Sequence, residues 1–137
     1  MPSNTTLSDN TRVLLVDDND GILKRAAAVL SDGCTIVGAF TDGRLALEAA
    51  AVLHPDVIVL DISMPGMSGF ELAASLKHAG STAAVVFLTV HEDAEIVHAA
   101  RDAGGIGYVV KPRLATDLRL AVREARAGRS FVSSRQA

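Results

Sequence analysis

The sequence predicts an α/β domain: a doubly wound, five-stranded parallel sheet accompanied by five helices. Three observations carry that expectation. Short apolar runs with almost no polar alternation recur, at Val13-Leu14-Leu15-Val16, Val57-Ile58-Val59-Leu60 and Ala84-Val85-Val86-Phe87-Leu88, as in strands buried on both faces. Segments of helical period follow the runs, so strands and helices alternate. Several runs also stop at a polar residue, namely Asp17, Asp61, Thr89 or Lys111. Right-handed crossovers bring the carboxyl ends of parallel strands to one edge, where open α/β sheets bind ligands.

The first strand, Val13-Leu14-Leu15-Val16, runs into Asp17-Asp18-Asn19-Asp20. A helix follows with Ile22, Ala26, Val29 and Leu30 on one face, and Gly33 stops it. The second strand is Thr35-Ile36-Val37-Gly38-Ala39-Phe40. Asp42 caps the next helix, whose apolar positions include Leu45, Ala46, Ala49, Val52 and Leu53 before His54-Pro55 ends it. The third strand ends at Asp61 and gives way to a Pro/Gly loop, Ile62-Ser63-Met64-Pro65-Gly66-Met67-Ser68-Gly69. Ser68 and Glu71 have capping-box spacing for a helix through Leu72 and Leu76 that Gly80 closes. The fourth strand ends in Thr89, and a helix from about Asp93 to Ala103 stops at Gly104-Gly105. The fifth strand, Gly107-Tyr108-Val109-Val110, ends in Lys111-Pro112. The last helix places Leu114, Leu118, Ala121, Val122 and Ala125 on one side, with Gly128 beyond it.

Composition narrows the function. With 137 residues, 49% of them hydrophobic, the chain can bury a real core and reads as one soluble domain. Its 13 Lys and Arg against 16 Asp and Glu give a net charge of -3, which disfavours direct binding to nucleic acid or an anionic membrane. The single Cys34, beside Thr35-Ile36-Val37, cannot form an internal disulfide and reads as a buried small hydrophobe. Residues 1–10 are rich in Ser, Thr and Asn and carry neither a basic nor an apolar leader region. The expectation is a cytoplasmic protein with a flexible tail over 1–10. His54, His78, His91 and His98 lack metal-ligand spacing and read as surface or turn residues, although His91 borders the edge site two residues after Thr89. Arg119, Arg123, Arg126 and Arg129 recur on the last helix as a solvated face, with Leu120 in the same outer region.

The chemistry lies in what converges at the sheet edge. Two carboxylates about 4 Å apart repel by roughly 4 kcal/mol at an effective dielectric near 20, so clustered acids hold a proton or attract a cation. Mg2+ suits such a cluster, because it takes carboxylates, water and phosphate oxygens as ligands. A carboxylate beside that ion can attack a phosphoryl group while a fixed lysine and a threonine hydroxyl contact the equatorial oxygens. Each residue alone has a plainer reading. The Asp17-Asp18-Asn19-Asp20 run can be a capping turn, Asp61 a turn cap, Thr89 a helix start, and Tyr108 a strand aromatic with a wet hydroxyl. Those readings leave the ordered placement at four strand ends unexplained.

Four stretches, Val16-Asp17-Asp18, Leu60-Asp61 with its loop through Gly69, Leu88-Thr89 and Gly107-Tyr108-Val109-Val110-Lys111-Pro112, resemble the receiver domain of bacterial response regulators, with a CheY-like (flavodoxin-like) fold. The resemblance runs from about Thr11 to Gly128 and implies a receiver domain over 11–128 with strand order 2-1-3-4-5. It implies Asp61 as phosphoacceptor and Mg2+ held by Asp17, Asp18, Asp61 and the backbone carbonyl of Ser63. Thr89 becomes the switch hydroxyl, Lys111 the phosphate-contacting cation, and Tyr108 the aromatic that packs inward with Thr89 in the switched state. The Lys111-Pro112 bond is expected to be cis on this resemblance alone. The implied partner is a sensor histidine kinase or phosphotransfer protein, with a homodimer open. The segment after Gly128 is similar to the linker of NarL/FixJ-type regulators, so 129–137 is expected to be a linker remnant; a stand-alone receiver and a longer DNA-binding regulator cut at its linker both fit the sequence, and DNA is reached only through an output domain absent from this chain. Two alternatives stand beside this. A phosphoaspartyl hydrolase would want a second acid two residues after its nucleophile, where Ser63 stands, so the chain is expected not to be an enzyme. An interaction module unregulated by phosphorylation is expected to lack an Asp or the Lys, and none is missing.

Overall fold

The computed structural model describes residues 10–133. The expected flexible tail, apart from Asn10, and positions 134–137 of the expected linker lie outside the described residues.

Strands and helices alternate as β1 (Thr11–Val16), α1 (Asp20–Leu30), β2 (Cys34–Phe40), α2 (Gly43–Leu53), β3 (Val57–Leu60), α3 (Gly69–His78), β4 (Ala84–Thr89), α4 (Ala94–Asp102), β5 (Gly105–Val110), α5 (Leu114–Arg126) and β6 (Phe131–Val132), with a 3-10 turn over Lys111–Arg113. The pairings are parallel and give one sheet in the order β2-β1-β3-β4-β5-β6. The expected five-stranded order thus gains a sixth strand, inside the segment expected to be linker. Phe131 and Val132 are too few to read as a strand from pattern. They become one through tertiary pairing with Gly107 and Tyr108, extended by a Ser133 N–H that donates to the Tyr108 carbonyl at 2.8 Å.

Alternation along the strands divides the core. Leu14, Val16, Ile58, Leu60, Phe87, Tyr108 and Val110 face α2, α3 and α4, whereas Val13, Leu15, Val57, Val59, Val86, Leu88 and Val109 face α1 and α5. β3 is the most enclosed strand, its four residues at most 2% exposed. Burying each such side chain contributes about 1.5–3 kcal/mol. Its continuous apolarity therefore reflects a central position covered on both faces.

Most helix ends follow their sequence signals. Asp42 accepts the Arg44 and Leu45 N–H groups, and Ser68 with Glu71 forms the capping box. α2 departs from the expected apolar face. Ala46 and Ala50 are buried, but Leu45 and Val52 are 54% and 76% exposed. This helix is apolar nearly all round, so composition does not select the stripe; packing against β2 and α3 does. α1 buries Leu23 together with Ala26 and Leu30. Gly105 belongs to β5, so α4 ends at Asp102 and Ala103-Gly104 makes the turn, with Gly104 at positive φ. Cys34 is only half-buried and packs on the α1/α5 side.

No peptide bond among the described residues is cis, and Lys111-Pro112 is trans, contrary to expectation. Pro112 lies within the 3-10 turn, where its fixed φ fits and its missing N–H removes no ladder bond. The ordinary trans preference of an X-Pro bond then prevails. No helix among the described residues is long and apolar enough to cross a membrane.

Candidate functional site

The sheet ladders continue one residue past β1 and β3 and thereby aim two acids. The Asp17 N–H donates to the Phe40 carbonyl, and the Asp61 N–H to the Val16 carbonyl, each at 3.0 Å. Both side chains are buried, 2% and 4% exposed. In the acidic run after β1 the duties divide. Asn19 is the N-cap of α1, its Oδ1 accepting the Ile22 N–H at 3.0 Å, and Asp17 Oδ1 accepts the Asn19 N–H at 2.9 Å. Asp18 is exposed beside them. Helix capping thus falls to Asn19, which leaves Asp17 and Asp18 for the hollow.

Oxygens of Asp17, Asp18 and Asp61 all lie within 4.8 Å of one another. Lys111, on the turn after β5, reaches in from the opposite side: its Nζ stands 3.0 Å from Asp17 Oδ2 and 3.4 Å from Asp61 Oδ2. Asp17 Oδ2 is fully buried, and the Lys111 ammonium meets it off the ideal hydrogen-bond direction. Asp61 Oδ1 accepts one long bond, from the Ser63 N–H at 3.3 Å. Burial and the Asp17 charge push the Asp61 carboxyl up to about 6, against the pull of Lys111 and the Ser63 N–H. Burial pulls the Lys111 ammonium down, but its two carboxylate neighbours outweigh that and raise it. Three carboxylates crowded within 4.8 Å, two of them sharing one ammonium group, form a donor set that fits a hard, oxygen-liganded cation.

Gly69 permits the approach of α3 to this edge. Its N–H donates to the Ile62 carbonyl at 2.7 Å, and a Cβ there would stand 2.1 Å from the Asp61 carbonyl oxygen. Any side chain at this position displaces the backbone that carries Asp61.

Thr89 and Tyr108 belong to a second cluster beside the acids. Thr89 is fully buried, and its hydrogen-bond partner is the His91 N–H at 3.2 Å rather than Asp61 or Lys111. Tyr108 is 3% exposed and donates its hydroxyl to the His91 carbonyl at 2.8 Å. The inward position expected of the switched state is the one this structure has. His91 also places Nε2 3.2 Å from the Ser63 hydroxyl, spanning the mouth of the hollow. A cavity of about 590 Å³ lies elsewhere, at the opposite end of the sheet beside His54, Asp56 and Arg126. It is lined by none of the clustered acids.

Sequence reasoning passed over a third polar cluster. Asp117, 7% exposed, accepts from Arg113 Nε at 2.8 Å, Arg113 Nη2 at 3.2 Å, Thr116 Oγ1 at 3.2 Å and Ser133 Oγ at 2.8 Å. The spacing of Arg113 and Asp117 on one helix turn was the available signal. The expected solvated arginine face is partly engaged: Arg126 pairs with Asp56 at 3.1 Å and Arg129 with Glu124 at 2.7 Å.

Fold and site together define an open parallel α/β sheet whose carboxyl edge holds a cation-ready acidic hollow with an opposed lysine. The family model of the response regulator receiver domain matches residues 13–123, and the chain belongs to that family. It is 34% identical over 126 residues to the response regulator GacA of Pseudomonas viridiflava, covering 89% of this chain and 58% of that protein. It is 33% identical over 124 residues to the nitrate/nitrite response regulator protein NarL of Escherichia coli K12, covering 88% and 57%. The chain thus spans less than two thirds of the length of these curated relatives. Among solved structures, the signal receiver domain of NarL from Mycobacterium tuberculosis superposes with a TM-score of 0.82 at 31% identity, covering 88% of this chain and 98% of that one. The isolated REC domain of RcsB from Salmonella enterica serovar Typhimurium, determined with phosphomimetic BeF3-, gives 0.83 at 26% identity, covering 91% and 94%.

Proposed function

We propose that Asp61 accepts a phosphoryl group from the phosphohistidine of a sensor kinase, or from a phosphotransfer protein, and that the chain responds by shifting between two conformations. The observation that carries this is the Lys111 ammonium held 3.0 Å from Asp17 and 3.4 Å from Asp61 over a crowded carboxylate cluster. Asp17, Asp18, Asp61 and the Ser63 backbone carbonyl hold Mg2+, which supplies charge neutralisation on the phosphoryl oxygens. An Asp61 oxygen forms the new bond to phosphorus as the phosphorus–nitrogen bond of the donor histidine breaks, and the imidazole departs neutral, with the proton already on its other ring nitrogen or taken from solvent. Lys111 tracks the negative charge from carboxylate to phosphoryl oxygens without changing protonation, since its pKa is raised. Thr89 turns its hydroxyl from the His91 N–H toward a phosphoryl oxygen. That shifts the loop through His91 while Tyr108 keeps its inward position, and alters the face formed by α4, β5 and α5.

The chain acts as a switch that assists its own phosphorylation and dephosphorylation, not as an enzyme for external substrates, because Ser63 supplies no general acid beside Asp61. Its output is a partner protein or a DNA-binding domain of the kind carried by transcriptional regulators. Incubation with acetyl phosphate and Mg2+ tests the proposal. Intact-mass analysis should show one added phosphoryl group on the wild type and none on Asp61→Asn; modification of the variant at the wild-type rate would falsify the assignment.

A further inference from the structure

We infer that Asp117 and Ser133 are positioning residues for Lys111, which makes the C-terminal strand part of the phosphorylation apparatus. The inference rests on the reading of Asp61 as phosphoacceptor. Lys111 must hold a long, flexible stem so that its head meets two carboxylates at 3.0 and 3.4 Å. The chain on both sides of it is fastened to one network. On the N-terminal side, the Val110 N–H donates to Ser133 Oγ at 3.2 Å. On the C-terminal side, the Arg113 guanidinium forks onto Asp117 at 2.8 and 3.2 Å. The link between the halves is the Ser133 hydroxyl, which donates to Asp117 Oδ2 at 2.8 Å while accepting from Val110. The result is a closed ring, from Val110 through Ser133, Asp117 and Arg113 back along the chain, with Lys111 on its perimeter.

Ser133 is brought there by backbone alone. β6 pairs with Gly107 and Tyr108, and the Ser133 N–H bonds the Tyr108 carbonyl. β4 holds Val110 from the other side through the pairing of Thr89 with Val110. Lys111 therefore emerges from a strand clamped on both edges. Val110, Arg113 and Asp117 lie within the family match over residues 13–123, and Ser133, which closes the ring, lies beyond it.

The experiment uses the full 137-residue chain, with acetyl phosphate as donor and Mg2+ titrated separately. Ser133→Ala should lower the maximal rate of Asp61 phosphorylation about tenfold, as expected for a displaced reacting group, while the donor concentration for half-maximal rate changes less than about twofold. Ser133→Thr, which keeps the hydroxyl, should restore the rate to within about threefold of wild type. Independently of phosphorylation, the Lys111 ammonium signal in NMR should broaden in Ser133→Ala and persist in Ser133→Thr. A purely structural Ser133 would lower the unfolding midpoint and leave both the rate per folded molecule and the ammonium signal unchanged, and that outcome overturns the inference. A wild type that acetyl phosphate leaves unmodified, with the ammonium signal still sensitive to Ser133, overturns the phosphoacceptor reading and keeps the clamp. Should Ser133→Ala fail to fold, Arg113→Gln opens the ring from the other side and carries the same expectation.

Discussion

Asp61 and Asp117 are both buried carboxylates at the same end of the sheet, and their environments push them in opposite directions. Asp61 has one long backbone donor, a shared lysine and a second acid against it, and its carboxyl is pushed up to about 6. Around Asp117, a forked arginine and two hydroxyls hold the carboxyl below the usual range, with the Arg113 bond the first cause. The difference separates a carboxylate left open to an added group from one satisfied within the chain. Asp117 has its partners inside the chain, whereas Asp61 and its neighbours leave acceptor capacity over, and only an external cation or an added group relieves it.

The largest expected effect tests the satisfied side. Asp117→Ala leaves Arg113, Thr116 and Ser133 short of a partner and should cost about 3 kcal/mol of unfolding free energy, measured by urea denaturation. A loss below about 0.5 kcal/mol would mean the network is solvated and contributes as little as an ordinary surface pair.

The opposite sign is expected at the other acid. With Mg2+ chelated, Asp61→Asn removes a strained negative charge and should stabilise the fold by roughly 2 kcal/mol at pH 7. The pH dependence follows from the same shift. A folded pKa near 6 against an ordinary value of 3.8 means that the folded state binds the extra proton between those limits. Wild-type stability relative to Asp61→Asn should therefore rise as pH falls from about 7 to 4, closing the gap. For Asp117 the sign reverses: its contribution is present above the ordinary carboxyl range and is lost as pH falls below it, so wild type and Asp117→Asn should converge only under acid. Parallel pH profiles for the two variants would break the comparison.

A smaller effect concerns the cation. Mg2+ at about ten times its dissociation constant should raise wild-type stability by about 1.4 kcal/mol and leave Asp17→Asn nearly unmoved. An equal response in both proteins would place the ion away from the hollow.

These contrasts also show what the sequence could reveal. Asp17, Asp61 and Lys111 each follow an apolar run, and the rule that parallel strands share a carboxyl edge is enough to gather them. Asp42, Ser68 and Glu71 were legible as caps because capping is local, decided within four residues. The stripe of α2 was not, since an all-round apolar helix takes its phase from its neighbours. Nor was β6, since a two-residue strand exists only through β5. Asp117 stayed hidden for a related reason: three of its four contacts lie within one helix turn, but burial needs Ser133, sixteen residues away and delivered by that unread strand. The trans geometry at Lys111-Pro112 was misjudged because the expectation came from resemblance and not from this chain's own turn.

The smallest expected effect lies at the boundary between the two regions, in His91. Its N–H holds Thr89, its carbonyl holds Tyr108, and its ring meets the Ser63 hydroxyl across the mouth of the hollow at 3.2 Å. The backbone contacts survive substitution, so His91→Ala removes only the ring and its bridge to Ser63. Without the ring, water reaches the phosphoryl group of modified Asp61 more freely, and loss of phosphate should quicken about threefold, the effect of one modest hydrogen bond. Loss of phosphate is followed by mass after the donor is removed. The unfolding midpoint should stay within about 0.5 kcal/mol of wild type, because the bridge is exposed and the buried contacts are main-chain. An unchanged rate would make His91 a backbone spacer only, and the mouth of the hollow would then be governed by Ser63 and the loop that carries it.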